Sequence, residues 1–210
     1  FVSGHLELAR ETGAWIGYGA AATTDFPIRH LEDGDRISLG EVTLEVMTTP
    51  GHTPESISIL VFEHPGDETP YGVLTGDALF IGDVGRPDLL ASVGVTADEL
   101  GRMLYDSVQH KLMGLPDEVR VFPAHGAGSA CGKNLSTERQ STIGNQRAFN
   151  YACQPMSQEQ FLAVGTEGQP AGPEGAAGGT VSPEEAQVHL VHRRPLSDVG
   201  QHDGALYHVV

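Results

Sequence analysis

Residues 48–56 read TTPGHTPES and place one histidine, His52, in a run of turn-forming residues between two apolar segments. Pro50 and Pro54 restrict the backbone dihedral φ on both sides of this histidine, and Gly51 permits conformations that other residues resist. A loop of this composition holds its central side chain in a defined direction. For an isolated histidine, a surface turn is the simpler explanation, so the interpretation depends on the surrounding sequence.

Apolar segments of strand length lie on both sides of this loop. They are AWIGYG (14–19), RISL (36–39), VTLEVMT (42–48), ISILVF (57–62) and YGVLTG (71–76). VTLEVMT alternates apolar and polar side chains, which is typical of a strand with one buried face. The short turn-forming connections predict that most of these strands pair as hairpins.

The rest of the chain mixes helical segments with one further strand. Thr96 and Glu99 form a capping box, and apolar residues then recur at helical spacing: Leu100, Met103, Leu104, Val108 and Leu112. HLELARET (5–12) predicts a helix, as does the stretch from about 137 to 151, and Ser157 with Gln160 form a second capping box. VRVFPA (119–124) predicts a strand, so the fold class is α+β.

The composition divides the chain into three parts. Residues 165–179 are rich in Gly, Pro and Ala, which is typical of a linker. We therefore predict one α+β domain over 1–164, a linker over 165–179, and a short C-terminal segment over 180–210.

Charge and cysteine content limit the classes of partner. The chain has 12 basic and 28 acidic residues and a net charge of -16, which argues against nucleic acid because its phosphates require clustered Lys and Arg. No apolar run is long enough to cross a bilayer, so we expect no membrane partner. Cys131 and Cys153 lack CxxC spacing and favour a cytoplasmic location. A homodimer is compatible with the sequence.

Three predicted strands end in side chains that bind metals in other proteins. VTLEVMTTPG leads to His52, GVLTG to Asp77, and VRVFPA to His125. Each residue alone is ambiguous, since Asp77 also fits a turn. Side chains at the ends of adjacent strands can converge at one edge of a sheet, and together two histidines and a carboxylate favour a metal site.

The motifs around these residues resemble a known family. TPGHTPES (49–56), TGDALFIGDVGRPD (75–88) and FPAHGAGSACG (122–132), in this order and spacing, are similar to the metallo-β-lactamase superfamily. The resemblance is narrower to its persulfide dioxygenase (sulfur dioxygenase) branch, of the type fused to rhodanese domains. FVSGHLELA and ERQSTIGNQRAFNYACQPMS also match, so the likeness covers about 1–169. It implies an αβ/βα sandwich of two mixed sheets, here without its N-terminal strands.

The resemblance also implies a metal and its ligands. Persulfide dioxygenases hold one Fe(II) through two histidines and one aspartate, with open positions for O₂ and substrate. His52 matches the second histidine ligand and Asp77 the carboxylate. His125 matches a histidine that would lie in the outer shell, where it orients a ligand or a bound water. Zinc is the alternative metal.

Two departures from the family pattern concern the start of the chain. A THxHAD segment precedes FVSGH in the family and supplies the first histidine ligand, so we expect an N-terminally truncated chain with weak metal binding and little activity. Thioester hydrolases of the hydroxyacylglutathione type carry a second-metal histidine where this chain has Phe1. That difference favours the mononuclear dioxygenase. The hydrolase and an inactive fragment are the alternatives.

The implied reaction oxidises a low-molecular-weight thiol persulfide, such as glutathione persulfide, with O₂ to sulfite and the thiol. An anionic carrier thiol requires basic residues near the site of so acidic a protein. The candidate substrate-binding residues are Arg86, Lys133, Arg147, Asn150 and Tyr151. A solvent-facing charge is the alternative for each cation. Glutathione-using members have an aromatic residue soon after the histidine, whereas this chain has HGAG, which leaves the carrier open.

The C-terminal segment resembles the start of another family. GTVSPEEAQVHL (179–190) is similar to the opening helix of a rhodanese module, but no catalytic CxxxxR loop follows. We therefore predict that 180–210 is a truncated rhodanese-like start or a disordered tail, without sulfurtransferase activity.

Overall fold

The computed structural model describes residues 4–87, 95–126, 136–166, 188–192 and 205–209. Its helices are α1 (His5–Thr12), α2 (Ala97–Asp106), α3 (Ile143–Phe149) and α4 (Gln158–Thr166). Its strands are β1 (Ile16–Gly19), β2 (Arg29–Leu31), β3 (Arg36–Leu39), β4 (Val42–Thr48), β5 (Ile57–Phe62), β6 (Gly72–Gly76), β7 (Leu79–Phe80), β8 (Asp83–Val84), β9 (Arg120–Pro123), β10 (Ser141–Thr142), β11 (Val188–His192) and β12 (Ala205–Val209). The strands predicted around the His52 loop are all present.

The larger sheet brings three strand ends to one edge. Its strand order is β10-β9-β6-β5-β4-β3. β3, β4, β5 and β6 pair antiparallel in sequence, which confirms the predicted hairpins, and β9 pairs parallel to β6. Because β4 and β6 are both antiparallel to β5, β4, β6 and β9 all run in the same direction. Their C-terminal ends therefore meet at one edge.

The smaller sheet has the order β12-β11-β1-β2, and β7 pairs with β8. β11 pairs antiparallel with β1, placing Ile16 opposite Val191. Both β11 and β12 come from the predicted C-terminal segment. The assignment of that segment to a rhodanese-like start or a tail stays a prediction. Of the helix predicted over 179–190, residues 179–187 lie outside the described residues, and residues 188–190 belong to β11 instead.

Two apolar layers lie on the two faces of the larger sheet. On β5, Leu60 and Phe62 join a core with α2 and α4, whereas Ile57 and Ile59 join a second core that includes Leu31 of β2. This split follows the two-residue alternation of side chains along a strand. The layers run helix, sheet, sheet, helix, which is the predicted sandwich. No helix in the described part of the chain is both long and apolar enough to cross a bilayer.

Helix α2 begins as the sequence predicts. Thr96 and Glu99 form the reciprocal capping box, and the buried face includes Leu100 and Leu104. The helix does not stop at Asp106: a π-helical turn, Ser107–Lys111, and a short 3₁₀ turn carry it on to residue 114.

Helix α3 is shorter than predicted. It begins at Ile143 rather than near 137, because Ser141 and Thr142 pair with β9 and the Thr142 hydroxyl accepts the Asn145 N–H as an N-cap. The second capping box is confirmed, since Ser157 and Gln160 exchange side-chain hydrogen bonds at the start of α4.

Candidate metal centre

The loop after β4 is closed by its own backbone and holds His52 below the surface. Thr49 N–H donates to Ser56 O and Gly51 N–H donates to Thr53 O, each at 2.9 Å. Gly51 has a φ of 143°, and a Cβ there would lie 2.4 Å from Leu104 Cα on α2. The loop therefore needs glycine to sit against the helix, and His52 is only 2% exposed.

The imidazole of His52 is held in one tautomer. Its Nδ1 lies 2.9 Å from the carbonyl oxygen of Arg86, and a carbonyl only accepts, so Nδ1 carries the proton and donates it. Burial lowers the pKa of His52, and the nearby Asp77 carboxylate offsets only part of this effect. The ring is therefore neutral near pH 7, with an unprotonated Nε2.

Asp77 and His125 complete the group that the strand ends predicted. Asp77 directly follows β6, and His125 comes two residues after its parallel neighbour β9. The two oxygens of Asp77 face different histidines: Oδ2 lies 3.3 Å from His52 Nε2, and Oδ1 lies 2.7 Å from His125 Nδ1. The structure thus brings the three side chains into contact, and their catalytic and metal-binding roles stay predictions.

His52 Nε2 and Asp77 Oδ2 are suited to act as two ligands of one metal ion. His52 Nε2 carries a lone pair, and it faces a carboxylate oxygen of a side chain that is 7% exposed. Two electron-rich atoms placed together inside a protein suit a bound cation. Among the residues that the structure describes, no three His, Cys, Asp or Glu side chains are arranged to hold a metal ion. His52 and Asp77 therefore form a pair, with His125 bonded to the second carboxylate oxygen.

The relatives found among known proteins include one described as a dioxygenase and one described as a metallo-hydrolase. Over 135 residues the chain is 36% identical to "Persulfide dioxygenase ETHE1, mitochondrial" of Bos taurus, covering 64% of this chain and 44% of that protein. Over 101 residues it is 36% identical to "Probable metallo-hydrolase YqgX" of Bacillus subtilis, covering 48% of this chain and 42% of that protein. The chain thus spans less than half the length of either relative. No family model matches the chain.

A solved structure decides the fold. The crystal structure of a metallo-β-lactamase from Staphylococcus aureus superposes with a TM-score of 0.70 at 33% identity, covering 80% of this chain and 49% of that chain. This chain has the metallo-β-lactamase fold. The resemblance drawn from the three motifs is therefore confirmed, whereas the fusion to a rhodanese domain stays a prediction.

Arg86 follows β8 in this metallo-β-lactamase fold and contributes to the centre through its backbone. Its carbonyl binds His52, while the residue itself is half-buried and lines a cavity of about 390 Å³ between the 83–87 loop, α2 and α4. The cavity wall is largely apolar and includes Leu104 and Phe161, but neither His52 nor Asp77. A substrate-binding role for the Arg86 side chain stays a prediction.

Two other predicted substrate-binding residues are used within the fold. Arg147 is exposed, and its guanidinium donates to the carbonyls of Met113 and Leu115, with Asp117 3.2 Å away. Asn150 is fully buried, and its amide donates to the carbonyls of Phe80 and Asp83. The structure does not bring Arg147 to His52. Lys133 lies outside the described residues.

Tyr151 also bonds inside the protein. Its hydroxyl donates to Asp83 Oδ1 at 2.7 Å, and burial, followed by this hydrogen bond, raises the pKa of Tyr151. Asp83 is itself 1% exposed, so Tyr151 provides one of the hydrogen bonds that this buried carboxyl group needs. The hydroxyl thus has a structural partner as well as a place on the wall of the cavity.

Replacing Tyr151 by phenylalanine therefore tests a structural role against a substrate-binding one. We expect the free energy of unfolding to fall by about 2 kcal/mol, because Asp83 loses a buried hydrogen bond. Metal affinity and the KM for substrate should stay within about twofold of the parent protein. Urea unfolding, metal titration and steady-state kinetics measure these three quantities. A tenfold rise in KM with unchanged stability would instead indicate that the Tyr151 hydroxyl binds the substrate.

Two residues around the centre, Gln146 and Ser107, were not predicted from the sequence. Gln146 accepts hydrogen bonds from Gly82 N–H and the Asn150 amide, and so ties α3 to the turn between β7 and β8. Nothing in the local pattern marks Gln146. Ser107 carried a weak signal, since it is a polar residue beside Val108 on the buried face of a helix.

Proposed function

We propose that the protein oxidises a low-molecular-weight thiol persulfide in a metal-dependent reaction. One persulfide, one O₂ and one water would give one thiol, one sulfite and two protons. Iron(II), one per chain, is the proposed metal, and zinc is the alternative. The observation that carries the proposal is the buried pair of His52 Nε2 and Asp77 Oδ2, 3.3 Å apart. The 36% identity to a persulfide dioxygenase supports the choice of reaction.

Each residue of the centre has a defined part in this proposal. When bound, iron(II) would supply the place where O₂ and the persulfide sulfur meet. His52 would bind it through Nε2, because the Arg86 carbonyl holds the proton on Nδ1. Asp77 would bind through Oδ2, and His125 would hold the carboxylate in place by donating to Oδ1. The half-buried Arg86 side chain is the proposed contact for an anionic carrier thiol.

A thioester hydrolase is the second candidate. The identity to a protein described as a metallo-hydrolase favours it, and a hydrolase would use the same histidine and carboxylate ligands. The absence of a histidine at Phe1 disfavours it, since that residue would bind the second metal of the related thioester hydrolases. The two candidates differ in whether the reaction consumes O₂.

Oxygen uptake tests the proposal directly. Two forms of the iron(II)-loaded protein would be assayed with glutathione persulfide or coenzyme A persulfide. One is the 210-residue chain, and the other has a THxHAD segment added before Phe1. We expect O₂ consumption with stoichiometric sulfite, and more of it in the extended form, because a histidine of the added segment would give the metal a further ligand beside His52 and Asp77. In parallel, the zinc-loaded protein would be assayed with S-lactoylglutathione. Hydrolysis without O₂ uptake would support the hydrolase, and failure of both assays would overturn both candidates.

A further inference from the structure

The His52 loop is attached to the helix beside it as well as to its own strands. The attachment comes from the π-helical turn Ser107–Lys111, in which the Leu112 N–H donates to the carbonyl of Ser107 five residues earlier. Such turns are rare, and many of them occur at functional sites. The turn begins three residues after Leu104, the residue against which Gly51 packs.

Two polar side chains of this turn bind the first half of the loop. The Ser107 hydroxyl donates to the Pro50 carbonyl at 2.7 Å, and Ser107 is 1% exposed. Lys111 Nζ donates to the Thr48 carbonyl at 2.8 Å and to Asp33 Oδ1 at 2.9 Å. Asp33 Oδ1 also accepts the Thr48 N–H at 2.6 Å. Lys111 therefore binds the carbonyl of Thr48, and Asp33 binds its N–H.

The backbone groups of residues 48–51 fall into two sets, one bonded within the loop and one bonded to the helix. The N–H groups of Thr49 and Gly51 bond to the second half of the loop, whereas the carbonyls of Thr48 and Pro50 bond to the helix. Every residue from 48 to 51 is thereby fixed through its backbone, and the next residue in the chain is His52. A ligand carried on a loop keeps its geometry only when surrounding groups hold that loop.

We propose that Ser107 and Lys111 are positioning residues, which set the direction of His52 Nε2 toward Asp77 by fixing the loop that carries it. The inference rests on the proposed metal centre. Neither side chain touches the metal ligands, so both act through the backbone at Thr48 and Pro50. Supporting groups of this kind change metal affinity by about 10- to 100-fold when they are removed.

The test compares Ser107→Ala, Lys111→Met and the double variant with Arg102→Met. Arg102 is a matched control because it lies on the same helix and its guanidinium binds Asp98 and Gln158, away from the His52 loop. Two readouts are needed: nitrogen NMR of the His52 ring in metal-free protein, and titration with Co(II), whose visible spectrum reports coordination geometry. Urea unfolding measures stability separately.

We expect the parent protein and Arg102→Met to show His52 as the Nδ1–H tautomer. Ser107→Ala and Lys111→Met should show averaging of the two tautomers and should bind Co(II) about tenfold more weakly. The double variant should lose less than the sum of the two single effects, because both residues fix one segment. Lys111→Arg should recover part of the loss, since it restores a donor beside Thr48.

Two results would overturn the inference. The first is an unchanged His52 tautomer and unchanged Co(II) affinity in folded Ser107→Ala and Lys111→Met. The second is a loss of Co(II) affinity in Arg102→Met as large as in Ser107→Ala and Lys111→Met, which would indicate a general effect of weakening α2. If neither the parent protein nor its form with the added THxHAD segment binds Co(II), the proposed function fails, and the His52 ring signals still decide the positioning role. Lys111 is partly exposed, so its variant serves if Ser107→Ala does not fold.

Discussion

Replacing Asp77 by asparagine should lower metal affinity and persulfide-dependent O₂ uptake by more than about 100-fold, a larger loss than removal of an outer-shell group produces. An amide keeps the size of the side chain but removes the negative charge that faces His52 Nε2 and accepts from His125. We expect the fold to survive, since Asp77 lies just beyond the end of β6. Metal content, Co(II) titration and oxygen consumption measure the effect, and circular dichroism checks the fold.

Asp67→Asn is the control for this substitution. Asp67 also pairs with a histidine, His64, at 3.6 Å, but both side chains are exposed on a turn of the surface. Its replacement should leave metal affinity and O₂ uptake unchanged, because exposed pairs of this kind contribute little. Equal losses in the two variants would show that the general acidity of the protein, rather than Asp77, governs the reaction.

Gly51→Ala should destabilise the protein by about 3 kcal/mol and displace the His52 loop. The residue has a φ of 143°, a sparsely populated backbone conformation that costs about 1–3 kcal/mol for residues with a Cβ. The added Cβ would also lie 2.4 Å from the Leu104 backbone, which forces the loop and α2 apart at a further cost of about 1–3 kcal/mol. The midpoint of urea unfolding measures the loss, and Co(II) affinity should fall with it.

Gly66→Ala separates the cost of the backbone conformation from the cost of the clash with α2. Gly66 has a φ of 93°, but a Cβ there would meet no atom within 4 Å. We expect a loss of about 1 kcal/mol from the backbone conformation alone, with unchanged metal affinity. Equal destabilisation by the two alanines would mean that contact with α2 contributes nothing at Gly51.

The positions of the three central side chains could be predicted because their signals are local. His52, Asp77 and His125 each follow an apolar strand within a few turn-forming residues, and this pattern is visible along the chain. Their convergence depends on the direction of the strands. β6 and β9 pair in parallel although helix α2 lies between them in the sequence, and no local pattern specifies that pairing.

The surroundings of the centre were harder to predict, because they depend on contacts between distant segments. Arg147 and Asn150 belong to a motif that suggested substrate binding, yet Arg147 meets residues 113–117 and Asn150 meets the carbonyls of Phe80 and Asp83. In sequence, Lys111 is an ordinary polar residue of a helix, and Ser107 carries only the weak signal of a polar residue beside Val108. Their partners, Thr48 and Pro50, lie about 60 positions earlier, where only the packing of α2 against the loop can place them.

The burial of Cys153 has a consequence if the protein carries out the proposed persulfide reaction. A thiolate that attacks the outer sulfur of a persulfide breaks its S–S bond, forms a new persulfide and releases the carrier thiolate, which would divert substrate into modified protein. Cys153 is 2% exposed within the core beneath α2, and burial raises the pKa of its thiol to about 12. The thiol therefore stays protonated and out of reach at neutral pH. Under the proposed persulfide chemistry, packing would thus protect this cysteine from sulfur transfer.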